Sequence, residues 1–382
     1  MTTVKMVKLG TLIKPAKLQK CGNDDYPVLS MTMHNGLVFQ SDKFKKSVAS
    51  QDKSTYKVVH RNQLVIGFPI DEGVLATQRI TDAGIVSPAY GIWDVDQTKI
   101  IPEFLEYALR CNRAIDYYKA KLRGSTARRR SLPTPILLEL DVPLPDIEQQ
   151  RLALTTIRHA KNALDSRQAQ LTKLDELIKA RFVEMFGDPV TNPFNWPTVE
   201  LGQRCEIITG NTPSRAEPEN YGTFIEWIKS DNINTPSTFL TPAQEYLSEV
   251  GFQKCRFVES GSLLMTCIAG SLNCIGNVAV TNRRVAFNQQ INAITPTCDN
   301  VLYLYWLMIL SKPAIHKTIN MALKGILSKS QLSSIKFPFP SIECQNQFAA
   351  FVAEVDKSKV EVQKALDQTQ LLFDSLMQQY FG

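Results

Sequence analysis

Patterns on which many metal and phosphate sites are built are missing from this sequence. The eight cysteines form no C-x-x-C pair, which argues against a zinc site and a secreted disulfide framework and indicates reduced intracellular thiols. Four histidines, His34, His60, His159 and His316, are too dispersed to suggest a metal site. No G-x-x-x-x-G-K-S/T phosphate loop occurs, which argues against an ATPase. We therefore expect this chain to bind neither a metal nor a cofactor.

Long hydrophobic runs are missing as well. The longest, Val301 to Leu310, is too short to cross a bilayer, which needs about 20 apolar residues, so it predicts a buried helix. The N-terminus lacks the apolar segment of a signal peptide. The formal net charge of +6 is mildly basic and permits a polyanionic partner without requiring one.

The loops of a base-modifying enzyme are also missing. An adenine methyltransferase needs an Asn/Asp-Pro-Pro-aromatic loop for the flipped base and a glycine-rich loop for the methyl donor. The nearest match, Asn192-Pro193-Phe194, lacks the second proline and has no donor motif upstream. We therefore predict that the chain is not an enzyme.

What the sequence does contain is the pattern of a long helix from Asp146 to Phe186. Asp146 and Gln149 form a loose capping box, and Gly187 is a typical helix end. Apolar residues recur every seven positions, which predicts a stripe along one edge that packs against a partner helix. The stripe consists of Ile157, Leu164, Leu171 and Ile178.

The partner helix lies in the same chain. Residues 142–187 align with 337–382 at an offset of 195 without a gap, so that Val142-Pro-Leu-Pro-Asp-Ile-Glu returns as Phe337-Pro-Phe-Pro-Ser-Ile-Glu. We predict an antiparallel pair of coiled-coil helices. In the second helix the pairing positions are Val352, Val355, Val362, Leu366 and Phe373.

The segments before the two helices resemble each other too. Each has short β-patterned runs followed by a late helix, Pro102 to Lys121 in the first and Asn300 to Leu310 in the second. We predict an α+β protein with two pseudo-twofold-related α/β globules separated by the helix pair, and Gly382 beside the first globule. The division is 1–141 first globule, 142–187 central helix, 188–336 second globule and 337–382 distal helix.

This geometry suits duplex DNA. A helix of 41 residues is roughly 60 Å long, and the major groove returns about every 34–36 Å. Two related modules at a fixed separation therefore match two half-sites. Two alternatives stay open: a protein scaffold that binds no nucleic acid, and a fused or degenerate methyltransferase.

Several stretches carry a family resemblance. They are Lys179-Ala-Arg-Phe-Val-Glu-Met-Phe-Gly-Asp-Pro189, the run from Trp196 to Thr-Gly-Asn-Thr-Pro-Ser-Arg215, Phe287-Asn-Gln-Gln-Ile-Asn292 and the Pro-x-Pro-x-Ile-Glu-x-Gln helix entries. In this order they resemble the specificity subunit of a type I restriction–modification system over the whole chain. The first globule departs most, with Val86-Ser-Pro-Ala-Tyr90 where the second has Asn288 to Asn292.

The resemblance implies a function. Each globule would be a target-recognition domain that reads one half of a bipartite, asymmetric target in double-stranded DNA. The helices would set the gap and dock two modification (N6-adenine methyltransferase) subunits. Restriction subunits would complete an ATP-dependent translocating nuclease. The partner subunits would bind S-adenosylmethionine, ATP and Mg, and the complex would act in the cytoplasm of a bacterium or archaeon.

Base reading favours Arg or Lys for guanine and Asn or Gln for adenine. Loops rich in these residues supply the candidate contacts, although Asn211 and the run Asn288 to Gln290 have a structural alternative, as a turn cap and as internal backbone contacts. The predicted DNA contacts are Lys43, Lys45, Lys46, Arg61, Arg79 and Arg128 in the first globule and Arg215, Lys229, Asn232, Arg283 and Lys324 in the second.

Overall fold

The computed structural model describes residues 4–33, 36–43, 52–122, 132–319 and 325–382. The predicted contacts Lys45, Lys46, Arg128 and Lys324 lie outside the described residues, as does the side chain of Lys43. The chain divides into two compact units, each of which combines one globule with parts of both long helices. Unit 1 is Met1–Gln168 with Lys364–Gly382, and unit 2 is Ala169–Gln363.

Unit 1 is built from short antiparallel strands. The strands are β1 Met6–Lys8, β2 Ile13–Pro15, β3 Leu29–Thr32, β4 Gly36–Phe39, β5 Lys57–His60, β6 Leu64–Ile66, β7 Leu75–Thr77, β8 Ala83–Val86, β9 Gly91–Val95 and β10 Asp141–Pro143. The central sheet has the strand order β2-β9-β6-β7, and β1–β10, β3–β4 and β5–β8 form separate pairs. The β-patterned run from Ile85 to Trp93 therefore contributes to two strands, β8 and β9. Pro88 lies in the turn between them, where it has no N–H to donate to a sheet.

Helices cover the sheet of unit 1. They are α1 Gln40–Lys43, α2 Pro102–Arg110, α3 Asn112–Lys121, α4 Thr134–Leu138 and the first part of α5 Ile147–Phe186. Proline at the first turn of α2 loses no helical hydrogen bond. Phe104, Leu105 and Tyr118 are fully buried with Leu64 of the sheet.

The predicted single helix from Pro102 to Lys121 is wrong at one residue. Cys111 is extended, with φ −70° and ψ 160°, and separates α2 from α3. Asn112 is a poor helix former in a helix interior. The break is fixed by contacts with the C-terminal segment, because Cys111 Sγ and Arg113 Nε both donate to the carbonyl oxygen of Phe381, at 3.4 and 3.1 Å.

Unit 2 contains two four-stranded sheets. The strands of this unit are β11 Thr198–Glu200, β12 Cys205–Thr209, β13 Tyr221–Ile228, β14 Tyr246–Leu247, β15 Phe257–Val258, β16 Leu263–Thr266, β17 Ile268–Ala269, β18 Val278–Val280, β19 Val285–Phe287, β20 Ile291–Pro296, β21 Gly325–Ile326 and β22 Lys336–Pro338. One sheet has the order β12-β20-β16-β18 and the other β14-β13-β19-β15, in which β13 and β19 run parallel. As in unit 1, the strand before the globule (β11) pairs with the strand after it (β22).

The late helix of unit 2 is the buried helix predicted from its apolar run. The helices of this globule are α6 Leu201–Arg204, α7 Glu249–Gln253, α8 Val301–His316 and α9 Lys329–Ser334. The Asn300 side chain accepts a hydrogen bond from Leu302 N at 3.0 Å and so caps α8. Tyr303 to Met308 are all buried. Among the described residues, no helix combines the length and apolarity needed to cross a membrane.

The two long helices have the predicted lengths. The second, α10, spans Ile342–Phe381, and both α5 and α10 have 40 residues. Asp146 Oδ1 accepts a hydrogen bond from Gln149 N at 2.8 Å, so the predicted cap of α5 is confirmed. Gly187, at φ +78°, ends α5 in the left-handed conformation that favours glycine.

Within unit 2 the two long helices run antiparallel. In unit 2 the rings of Phe182 and Phe348 are 5.3 Å apart, and Lys359 Nζ lies 2.7 Å from Asp175. Position therefore rises along α5 as it falls along α10. Of the predicted pairing residues, Ile157, Ile178, Val352 and Val355 are buried, whereas Leu164, Leu171, Val362, Leu366 and Phe373 are half-buried.

The internal repeat reappears in the packing. Phe381 at the end of α10 packs on Phe104 at 4.8 Å, and Phe186 at the end of α5 packs on Tyr303 at 5.0 Å. Phe381 and Phe186 are equivalent at the offset of 195, and each packs on an aromatic residue of the late helix of its own globule. The end of α10 is therefore seated on the first globule, as the repeat predicted for Gly382.

Candidate nucleic-acid interface

In the first globule, Arg79 is part of an internal ion network. Its guanidinium lies 3.1 Å from Glu103 and 3.4 Å from Glu106. Arg158 of α5 also binds Glu103. Burial would raise the pKa of Glu103, but the hydrogen bond from Arg158 and the charges of Arg79 and Arg158 hold it below its ordinary value. This placement favours an internal role for Arg79 over the predicted DNA contact.

Glu106 ties the same network to the sheet. Its buried carboxylate accepts from both the backbone N and the hydroxyl of Thr77, at 2.9 and 2.8 Å. Arg110 Nη1 lies 3.4 Å from its other oxygen. The network therefore joins β7, α2 and α5, and its role is structural.

Arg61 stands in a different environment. It pairs with Asp82 at 2.9 Å, and both side chains are exposed, Asp82 by 95%. It lines an open polar cavity of about 600 Å³ together with Lys14, Asn62 and Gln63. These residue types are the ones that contact phosphates and base edges. Of the first-globule predictions whose side chains are described, Arg61 is the better placed.

In the second globule, Asn232 is buried and fully engaged. Its Oδ1 accepts from Lys229 N at 3.0 Å, and its Nδ2 donates to the carbonyl oxygen of Pro242 at 3.0 Å. Only 5% of the residue is exposed. This placement favours a structural role for Asn232 over the predicted DNA contact, because its amide holds a turn and is buried.

Arg283 is similarly committed. Its guanidinium pairs with Glu226, with Nη2 to Oε1 at 2.9 Å, and donates to the carbonyl oxygens of Leu240 and Thr241. The hydrogen bond from Arg283 holds the pKa of Glu226 below its ordinary value. With these bonds in place, Arg283 braces the strands and has few donors left for a ligand.

Asn211 and Asn288 follow the structural alternative. Asn211 Oδ1 accepts from Arg256 N, and its Nδ2 donates to the carbonyl oxygen of Lys254, both at 2.8 Å. Asn288 is buried, and its Oδ1 accepts from Gln290 N at 3.0 Å. Both amides stabilise the backbone of their own loops.

Arg215 and Lys229 form an accessible cluster at the C-terminal end of β13. The Arg215 guanidinium carbon lies 4.6 Å from the ring centroid of Tyr221 and 5.4 Å from that of Trp227. Lys229 Nζ lies 5.3 Å from the Trp227 ring. Glu245 accepts from both cations, from Arg215 Nη2 at 2.6 Å. We call these five residues the Arg215 cluster.

The cluster has a rigid base. Gly210 opens the loop that carries Arg215, and a Cβ there would lie 2.2 Å from the carbonyl oxygen of Asn288, so only glycine fits. The Tyr221 hydroxyl donates to the carbonyl oxygen of Pro213 at 2.9 Å. The Thr-Gly-Asn-Thr-Pro-Ser-Arg motif therefore encodes a fixed loop that ends at Arg215.

Glu245 was missed by the sequence analysis. It faces Trp227 across the β13–β14 pair, where Trp227 N donates to the Glu245 carbonyl oxygen at 3.0 Å. The hydrogen bond from Lys229 is the main reason that the pKa of Glu245 lies below its ordinary value, with Arg215 adding to it. No local sequence pattern points to this carboxylate, because Glu245 lies 30 residues from Arg215 in the chain.

The second globule also carries a match to a known protein family. Residues 193–369 match the model of the type I restriction modification DNA specificity domain. The match covers most of the second globule and of α10, just under half of the chain. The resemblance inferred from the sequence is thereby confirmed. Among the described residues, no three His, Cys, Asp or Glu side chains are grouped as metal ligands would be.

Curated relatives carry the name of this specificity family. The chain is 28% identical over 187 residues to the specificity subunit of the type I restriction enzyme HindI from Haemophilus influenzae, covering 46% of this chain and 39% of that protein. It is 28% identical over 177 residues to the MjaIX specificity subunit from Methanocaldococcus jannaschii, covering 43% and 38%. The chain thus spans about two fifths of the length of these relatives.

Solved structures show that the specificity-family fold extends over the whole chain. A chain from a structure of the assembly and conformational transition of a type I R-M system matches with a TM-score of 0.59 at 16% identity, covering 100% of this chain and 98% of that one. The type I restriction-modification S subunit from M. genitalium matches with a TM-score of 0.57 at 14% identity, covering 100% and 97%. The predicted fold class, a mixed α/β chain with two long helices, is confirmed.

Proposed function

We propose that this chain is the DNA specificity subunit of a type I restriction–modification complex, in which each globule reads one half of a bipartite, asymmetric target. The match of residues 193–369 to a DNA specificity domain carries the proposal, and the repeated globule-plus-helix plan supports it. The repeat is supported by equivalent contacts, Phe381 on Phe104 and Phe186 on Tyr303. Two related readers in one chain suit a target with two different halves.

The accessible polar surfaces support DNA as the ligand. Arg61 with its cavity in the first globule and the Arg215 cluster in the second present donors for phosphates and base edges. A net charge of +6 favours approach to a polyanion. A scaffold that binds only proteins would have no need for such side chains on rigid loops.

The helices would act as the spacer. Each has 40 residues, which is about 60 Å at 1.5 Å per residue. A continuous antiparallel pair resists bending, so its length would set the number of unread base pairs between the half-targets. The exposed faces of the helices carry apolar residues, such as Leu177 and Leu371, which would help to dock two modification subunits.

Catalysis would belong to the partners. The modification subunits would bind S-adenosylmethionine and methylate adenine at N6, and restriction subunits would supply ATP-dependent translocation and cleavage with Mg. This chain would contribute recognition and spacing only, with no bound cofactor of its own.

The proposal is tested by DNA binding and by methylation. Purified full chain should bind a random-sequence 50-base-pair duplex with an affinity that falls as salt rises, by about 0.9 logarithmic units per logarithmic unit of salt for each phosphate contacted. In cells, deletion of this chain should remove N6-methyladenine from one split motif. Unchanged methylation together with salt-independent or absent DNA binding would contradict the proposal and favour a protein scaffold.

A further inference from the structure

The Arg215 cluster joins a donor group and an acceptor group on a fixed surface. Arg215 lies over Tyr221 and Trp227, and its Nη2 donates to Glu245. The contacts with two rings and the ion pair with Glu245 together restrict the motion of the guanidinium. The side chain is therefore held in place before any ligand arrives, which lowers the entropic cost of binding.

The cluster keeps unused hydrogen-bonding capacity. A guanidinium has five N–H donors, and among the described residues Arg215 donates to Glu245 alone. The Arg215 side chain is 59% exposed and that of Glu245 35%. Both groups can therefore reach a ligand without unfolding the loop.

The carboxylate decides which part of DNA fits. A phosphate placed on Arg215 would lie beside the negative charge of Glu245, whose pKa is held below its ordinary value, so the carboxylate stays ionised at neutral pH. Base edges are uncharged and offer both acceptors and donors. Lys229 offsets the carboxylate charge within the cluster. A site that bound only a phosphate, however, would gain nothing from the Glu245 carboxylate.

We propose that Arg215 and Glu245 together read one guanine–cytosine pair in the major groove. Arg215 donates to guanine O6 and N7, and Glu245 accepts from the N4 amino group of the paired cytosine. Lys229 and the two aromatic rings hold the pair in position. This inference rests on the proposed function and names the base pair that one site of the second globule selects.

The test is a selection experiment with the full chain. A library of duplexes with randomised sequence is bound, recovered and sequenced for the wild type and for R215K, R215A and E245Q. R215K keeps the charge but loses the two-pronged contact. We expect a wild-type motif with an invariant G·C pair at one position. Arg215 and Glu245 variants should relax that position by about 10- to 100-fold, the usual value of one bidentate base contact, and leave the other positions unchanged.

The chain supplies a matched control. Arg284 pairs with Glu259 at 2.6 Å, their side chains are 57% and 59% exposed, and Arg284 lies 5.5 Å from the ring of Phe257. R284K and E259Q therefore change an exposed ion pair over an aromatic ring in the same globule. Both should recover the wild-type motif.

Two outcomes overturn the inference and leave the proposed function standing. If the Arg215 variants lose affinity for all sequences alike and show a smaller salt slope, Arg215 binds a phosphate. If they recover an unchanged motif, it makes no contact that selects sequence. A wild-type chain that recovers no motif at all would instead reject the proposed function, and with it this inference. Circular dichroism spectra of each variant show that it is folded before it is compared.

Discussion

Gln345 is a buried residue whose side chain bonds to other groups of the protein and not to a ligand. It is completely buried at the entrance of α10, where its Oε1 accepts from Asn300 N at 2.9 Å. Its Nε2 donates to Asp299 at 2.7 Å and to the carbonyl oxygen of Pro340 at 3.0 Å. Gln150, equivalent in the repeat, accepts from Ile101 N in the same way. The last residue of the repeated Pro-x-Pro-x-Ile-Glu-x-Gln motif thus fastens each long helix to a globule.

Replacing this amide should destabilise the protein. We expect Q345A to lower the free energy of unfolding, because each buried group left without a partner costs about 1–3 kcal/mol. Q345E keeps the acceptor for Asn300 but places a carboxylate beside Asp299, so like charges repel at neutral pH. Urea titration measures both effects. Gln347 is exposed on the same helix, and Q347A should have little effect; equal losses at the two positions would contradict the proposed role.

At the scale of single residues, the sequence predicted which residue types DNA contacts require better than it predicted which partners their side chains bind. Arg283 and Asn232 have the residue types that DNA contacts require, yet each is occupied inside the globule. Glu226, the partner of Arg283, is 57 residues away in sequence, so no local pattern shows that the guanidinium is already used. The contact between Arg215 and Glu245 was equally hard to predict from the sequence. It forms because the pairing of β13 with β14 brings the carboxylate next to the arginine.

At the scale of elements, the long helices were predictable and the short ones less so. A seven-residue apolar repeat with a cap at one end and glycine at the other specifies α5 within one residue. The break at Cys111 was not predictable, because contacts with Phe381, 270 residues away, hold the extended conformation. Local propensity fixes elements that carry their own pattern, whereas tertiary contacts decide where the others stop.

The attachment of α2 to α5 can be tested through Glu103. E103Q removes the charge that binds Arg79 and Arg158, and we expect a loss of about 1.5–3 kcal/mol of stability, typical for a hydrogen bond to a charged group. E148Q is the control, since Glu148 is 85% exposed and lies 3.6 Å from Arg151 on α5. It should change stability by less than about 1 kcal/mol.

The pH dependence provides a second readout of the same contact. The folded-state pKa of Glu103 is below its ordinary value, so its stabilising contribution is complete above the unfolded pKa, about 4.5. It is lost as the pH falls through the lower folded-state value. The stability difference between the wild type and E103Q should therefore shrink as the solution is acidified below about pH 4.5. A difference that stays constant down to pH 2 would show that the charge is not what binds the two helices.

At the scale of the whole molecule, the internal repeat is the feature that the sequence predicted best. An alignment without gaps over the helices places Phe381 and Phe186, and Gln345 and Gln150, in equivalent contacts. The globules share a plan but diverge in their loops, and those loops carry the Arg215 cluster and the Arg61 cavity. A repeated frame with divergent loops is what two readers of different half-targets require. The division into four segments at 141, 187 and 336 stays a prediction about domains, since each compact unit takes parts of both helices.

The proposed spacer role leads to a prediction about the whole chain. Insertion of one heptad in each helix, after Ala169 and after Lys364, keeps the apolar stripe in phase and lengthens both helices by about 10 Å. At about 3.4 Å per base pair, the gap between the half-targets should grow by about three base pairs while each half keeps its sequence. Methylation mapping in cells that carry the lengthened chain measures the gap. Insertion in only one helix puts the pair out of register and should abolish methylation. An unchanged gap with both insertions present would show that the helices do not set the distance.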